Sequence, residues 1–213
     1  MCGRYFVNSE EENAKILAIL GELKRRALPM TEQVHGGEIF PSQIAPVILT
    51  EPEAGVTVRP MKWGFPRGQG GGGLVINSRS EKADVTPMFQ KAARERRCLI
   101  PMSGFYEWRR TESGAKTKDK FAFTLADQPG GLMYLAGLYG RFLGGFEEGG
   151  FDGFAILTQP ADEQMSPYHS RMPVILRDEH AKRAWLTAPA AYAELRALFE
   201  PPRLTIAPAN TSS

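Results

Sequence analysis

Nine short apolar runs punctuate the chain, IAPVILT, VTVRPM, LVIN, RCLIP, KFAFTL, LMYLAGLY, FAILT, PVIL and LTI, with glycine, proline and charged residues between them. Runs of this length and composition read as β-strands bounded by turns. They do not alternate regularly with helices, so an α+β chain with a curled, mostly antiparallel sheet is expected rather than a doubly wound one. Helices are sparse. Ser9 and Glu12 form a capping box, and Ile16, Leu17, Leu20 and Leu23 recur at helical spacing, which predicts a helix over about residues 10–26 that stops before Pro29. Thr86 and Pro87 are expected to start a helix in MFQKAARERR, Asp178 to cap EHAKRAWL, and AAYAELRALF to form a further short helix.

With 213 residues, 42% of them hydrophobic and 23% charged, the chain suits one domain, expected to span residues 1–213. Glu10, Glu11 and Glu12 interrupt any leader, and Arg141 breaks the apolar stretch from Leu132 to Leu143, so a soluble cytoplasmic protein is expected, with no membrane partner. Two cysteines and three histidines, without metal-ligand spacing, predict neither a disulfide framework nor a metal, and no cofactor is expected. Cys98 lies in an apolar run and reads as a small core residue.

The net charge of +2 is unevenly spread: residues 1–58 carry −3, residues 59–120 carry +8 and residues 121–213 carry −3. A basic middle third points to a polyanion such as nucleic acid, because lysine and arginine neutralise phosphates and release counterions. The competing reading is a solvated hairpin tip holding Lys116, Lys118 and Lys120. Gly68, Gly70 and Gly73 satisfy a G-x-G-x-x-G pattern, but they lead into Leu74–Ile76 rather than a helix, so a dinucleotide loop is rejected.

Four polar segments sit beside apolar runs: MCGRY at the start, NSRSE at residues 77–81, GFYEW at 104–108 and HSRMP at 169–173. Loss of Met1 would place an α-amine and a thiol on adjacent carbons of Cys2, both partly reactive near neutral pH. Glu107 lies between Tyr106 and Trp108, where desolvation suits a carboxyl to acid/base work; a salt-bridged structural glutamate is the alternative. His169 alone is a weak signal.

In this order and spacing, the M-C-G-R, N-x-R-x-E, F-Y-E-W and H-x-R-x-P segments resemble the SOS-response-associated peptidase family over most of the chain. The resemblance implies a single α+β domain with a barrel-like sheet, a monomer that forms a covalent thiazolidine with abasic sites in single-stranded DNA, and association with the nucleoid on damage. It implies Cys2 as nucleophile, Asn77 holding the terminal residue, Glu107 in the active site and His169 facing the deoxyribose. It further implies Arg4, Arg79 and Arg171 on the DNA backbone, Trp63 and Trp108 against bases, and Pro46 near them. Where family members often have Y-N-x-A-P, this chain has SQIAP, with Ser42 and Gln43 in place of the tyrosine and asparagine. Two other classes remain open: an amidohydrolase or protease using the terminal cysteine, and a noncovalent single-strand binding module.

Overall fold

A computed structural model describes residues 2–8, 14–26, 28, 30–34, 36–68, 73–109, 119–143 and 149–209. The strands are β1 (Tyr5–Val7), β2 (Gly37–Ile39), β3 (Ile44–Glu51), β4 (Gly55–Trp63), β5 (Phe65–Pro66), β6 (Leu74–Val75), β7 (Asn77–Arg79), β8 (Arg97–Met102), β9 (Gly104–Arg109), β10 (Asp119–Leu125), β11 (Met133–Phe142), β12 (Phe151–Pro160), β13 (Arg171–Pro173) and β14 (Leu204–Pro208). The α-helices are α1 (Ala14–Arg26), α2 (Gln90–Glu95), α3 (Glu179–Thr187) and α4 (Tyr192–Leu195).

One sheet runs β14-β10-β9-β1-β2, antiparallel throughout. The other closes on itself, because β12 pairs with both β4 and β11, the two ends of the path β11-β8-β3-β4. A ring of strands leaves no open edge along its closed part. The expected α+β class with a mostly antiparallel, barrel-like sheet is what the chain adopts, with β12 parallel to β4 and β7 as the exceptions.

β12 spends each edge twice. Its first half closes the ring, and its second half holds β7 on one edge and β13 on the other, so that Thr158 lies opposite both Arg79 and Pro173. Two of the four polar segments are thereby hung on one residue. A third, GFYEW, forms β9 between β1 and β10, which sets Phe105 opposite Tyr5. Gly104 permits that approach: a Cβ there would meet Phe6 Cζ at 2.5 Å and Phe123 O at 2.6 Å.

Several local expectations shift. The Ser9–Glu12 capping box and Pro29 lie outside the described residues, and the helix is seen over Ala14–Arg26, with Ile19, Leu20 and Leu23 buried. Asp178 does cap α3, its Oδ1 accepting Ala181 N–H at 2.8 Å. Thr86 does not cap α2: its hydroxyl donates back to Lys82 O at 2.7 Å, and the helix begins at Gln90. Lys116 and Lys118 lie outside the described residues. Lys120, read as part of the same solvated tip, is a strand residue with a buried side chain paired to Glu38. Cys98 is fully buried, as a core residue should be.

Candidate active site

Cys2 precedes β1 and is fully buried. Asn77, the first residue of β7, reaches across 75 positions of sequence and donates Nδ2–H to Cys2 O at 2.9 Å. The Asn77 Oδ1 is also buried and takes no hydrogen bond among the described residues. The Cys2 sulfur lies 3.9 Å from Arg4 O, a thiol-to-carbonyl contact. Burial pushes the Cys2 thiol far above its ordinary range, and the neighbouring negative charge of Glu107 adds to the effect. The sulfur is therefore held as a neutral thiol.

Glu107 follows from the period-two alternation of β9. Phe105 and Glu107 point inward and are buried, while Tyr106 and Trp108 lie half-buried on the opposite face. Cys2, Asn77 and Glu107 thus converge from the segment before β1, from β7 and from β9. His169 arrives on the loop before β13. That loop is seated by Tyr168, whose ring packs edge-on against Phe121 and Phe123, and Phe121 is the register partner of Glu107. His169 Nδ1 accepts Arg171 N–H at 2.9 Å, which leaves Nε2 as the protonated nitrogen of the neutral ring.

A cationic and aromatic patch adjoins this centre. The Arg4 guanidinium lies 4.4 Å from the Phe40 ring centroid and 5.0 Å from that of Trp108, with Nη1 3.2 Å from Glu38 Oε2. Lys120 Nζ donates to Glu38 Oε1 at 2.6 Å and sits 3.8 Å from the Tyr106 centroid. Partial burial raises the Glu38 carboxyl, but Lys120 and Arg4 outweigh it and the group titrates below the usual range. Phe40 escaped the sequence reading; it is exposed, and its backbone N–H is fixed by Gln43 Oε1 at 2.8 Å across the turn that holds Ser42. A cavity of about 590 Å³, lined in part by Glu38, Ser42, Gln43 and Lys62, opens beside the patch.

Three expected DNA contacts are corrected. Trp63 is completely buried, stacked on Phe154 and tilted against Tyr5, with Nε1–H donated to Ile76 O at 3.0 Å, so no base can reach it. Pro46 is buried mid-strand opposite Pro60, and the proline that follows exposed Phe40 is Pro41. Arg171 is committed to Glu81 by a two-pronged ion pair rather than facing outward. Arg79 is exposed and forms no ion pair among the described residues. Among the described residues, no group of three or more His, Cys, Asp or Glu could hold a metal ion, and no helix is long and apolar enough to cross a membrane.

The closed ring with its flanking sheet and the Cys2–Asn77–Glu107 convergence define one class of protein. A family model for the SOS response associated peptidase (SRAP) matches residues 1–212, and the chain belongs to that family. It is 30% identical to the abasic site processing protein YoqW of Bacillus subtilis, over 87% of this chain and 80% of the relative. It is 28% identical to the abasic site processing protein YedK of Escherichia coli, over 87% of this chain and 79% of the relative. Among solved structures, a protein from Bacteroides thetaiotaomicron superposes with a TM-score of 0.76 at 20% identity, covering 99% of this chain and 93% of that one. One from Bordetella bronchiseptica gives 0.73 at 25% identity, covering 98% and 100%.

Proposed function

We propose that this protein handles abasic sites in single-stranded DNA by forming a covalent thiazolidine through Cys2 once Met1 is removed. The observation that carries the reading is the buried Asn77 amide: its Nδ2 already holds Cys2 O, and its Oδ1, bonded to no described residue, is an acceptor suited to an amine N–H beside it. Relatives that share most of this chain are named abasic site processing proteins, which supports the same substrate.

The chemistry follows from the groups present. The neutral α-amine of Cys2 attacks the C1 aldehyde of the ring-opened deoxyribose to give a carbinolamine, and loss of water leaves an imine. The thiol then adds to the imine carbon: the C–S bond forms, the C=N bond becomes single, and the sulfur's proton ends on nitrogen. One water leaves overall. A thiol kept neutral until the imine forms suits this order, whereas a cysteine peptidase needs a thiolate at the outset, which the burial of Cys2 opposes. Glu107 exchanges protons with the amine and carbinolamine, and His169 donates from Nε2 to the sugar oxygen as the ring opens. Arg4 and Arg79 meet phosphates, and Trp108 stacks on a base without reading sequence.

Single-turnover crosslinking tests the reading. Wild-type protein should trap an abasic oligonucleotide and not an intact one. Cys2→Ala should bind both without trapping, and Cys2→Ser, which closes a less stable ring, should trap poorly. A Cys2→Ala variant that still forms the adduct contradicts the mechanism, and hydrolysis of a peptide by wild type but not Cys2→Ala would favour the peptidase class.

A further inference from the structure

The NSRSE and HSRMP segments are joined through one side chain that the chemistry above does not use. Arg171, the first residue of β13, lays its guanidinium along both carboxylate oxygens of Glu81, Nη1 on Oε1 and Nη2 on Oε2 at 2.7 Å. Nη2 also donates to Thr158 O at 2.6 Å, the same carbonyl that takes Ser80 N–H at 2.8 Å. Only 12% of the Arg171 side chain is exposed. A two-pronged arginine–carboxylate pair fixes direction as well as charge, because two parallel N–H···O bonds resist rotation. Here the pair, with the Thr158 carbonyl, pins the start of β13 against β12 and the turn after β7.

What the pin holds is a backbone group. Arg171 N–H donates to His169 Nδ1 at 2.9 Å, and an imidazole nitrogen that accepts a hydrogen bond carries no proton. We propose that Glu81 is a positioning residue: by clamping the Arg171 side chain it holds the Arg171 backbone N–H on His169 Nδ1, and so keeps the neutral histidine in the form whose Nε2–H can donate to the opening sugar. Glu81 itself touches no reacting atom. Released from its carboxylate, Arg171 loses the anchor that places its N–H, and the imidazole becomes free to turn or to carry its proton on Nδ1. The catalytic part of this proposal rests on the abasic-site reading above; the tautomer does not.

The test is long-range ¹H–¹⁵N correlation of ring nitrogens in ¹⁵N-histidine-labelled protein, which has three histidines, His35, His169 and His180, with His169→Gln used for assignment. At a pH where the ring is neutral, wild type should show His169 in a single form, Nε2 protonated and Nδ1 bare. Glu81→Gln keeps the size but turns an amide NH₂ toward the guanidinium, and His169 should become a mixture of tautomers. Arg171→Lys, which cannot span both oxygens, should do the same. Crosslinking of a closed-ring abasic oligonucleotide by Glu81→Gln should slow about 10-fold, below the ~10² to 10⁴ lost with a general acid itself. Reaction with an open-chain aldehyde should be nearly unchanged. His169 remaining a single Nε2–H tautomer in both variants overturns the proposal, as does equal slowing on both substrates. If Glu81→Gln fails to fold, judged by amide dispersion, Arg171→Lys decides on the same criteria. A tautomer mixture in the variants, together with wild-type protein that traps no abasic DNA, would uphold the clamp and sink the abasic-site reading.

Discussion

Glu81 shows how a single side chain can be named by its motif and still be misjudged in its partner. The pairing with Arg171 spans 90 positions of sequence, so nothing local announces it, and the arginine reads as a free phosphate contact until β7 and β13 are seen on the two edges of β12. Trp63 fails for a related reason: alternation along β4 does not say which face of a closed ring is inside. Cys2 and Glu107 stood out by chemistry unusual for their positions, an aminothiol once Met1 is lost and a carboxyl between aromatics, whereas Asn77 came only from the family resemblance. The Glu81 clamp also makes a pH prediction. Hydrogen bonding from Arg171 holds the Glu81 carboxyl at about 2, against 4.5 for an unperturbed glutamate. A carboxyl depressed on folding contributes stability that is fully present above the unfolded value and is lost as pH falls through the folded one. Thermal melts should therefore show wild type above Glu81→Gln at pH 6, with the gap closing between about pH 4.5 and about 2. A gap that is constant over that range would contradict the ion pair.

Elements were read best where their signals are local. Asp178 caps α3 from within its own turn, and IAPVILT becomes β3 almost residue for residue. Thr86 misleads because its hydroxyl is consumed by Lys82 O, so the same residue that favours a cap instead stabilises the turn before α2. LVIN splits between β6 and β7, since the chain leaves a two-stranded hairpin and joins the edge of β12 within four residues. Lys120 becomes a buried strand residue through Glu38, 82 positions away. At this scale a tight contact lies at the start of β9. Gly104→Ala would drive a methyl into the Phe6 ring and the Phe123 carbonyl, and the backbone there is shared by β1, β9 and β10. Overpacking of this kind costs about 1 to 3 kcal/mol. Urea unfolding should show Gly104→Ala destabilised within that range or beyond it, with Glu107 misplaced enough to slow crosslinking. An unchanged midpoint would mean that β9 is not held as tightly as its neighbours imply.

Across the whole molecule, the ring of strands and the five-stranded sheet bring four segments from residues 2 to 173 to one region, and each segment alone is an ordinary run of polar residues. On the proposed reading, the site is built around the backbone end of Cys2, through Asn77, more than around a reactive thiolate, which burial and Glu107 both oppose. The segregation of positive charge in residues 59–120 is only partly a surface property, since Lys120 is spent on Glu38 and Arg97 on the carbonyls of Trp185 and Ala188, while Arg79 stays exposed. Intact mass of the covalent product with an abasic oligonucleotide is the most direct measurement. It should equal the chain without Met1 plus the oligonucleotide minus one water, with the first residue blocked to N-terminal sequencing. An adduct that retains Met1, or one whose attachment maps to any residue other than Cys2, would contradict thiazolidine formation at the mature terminus.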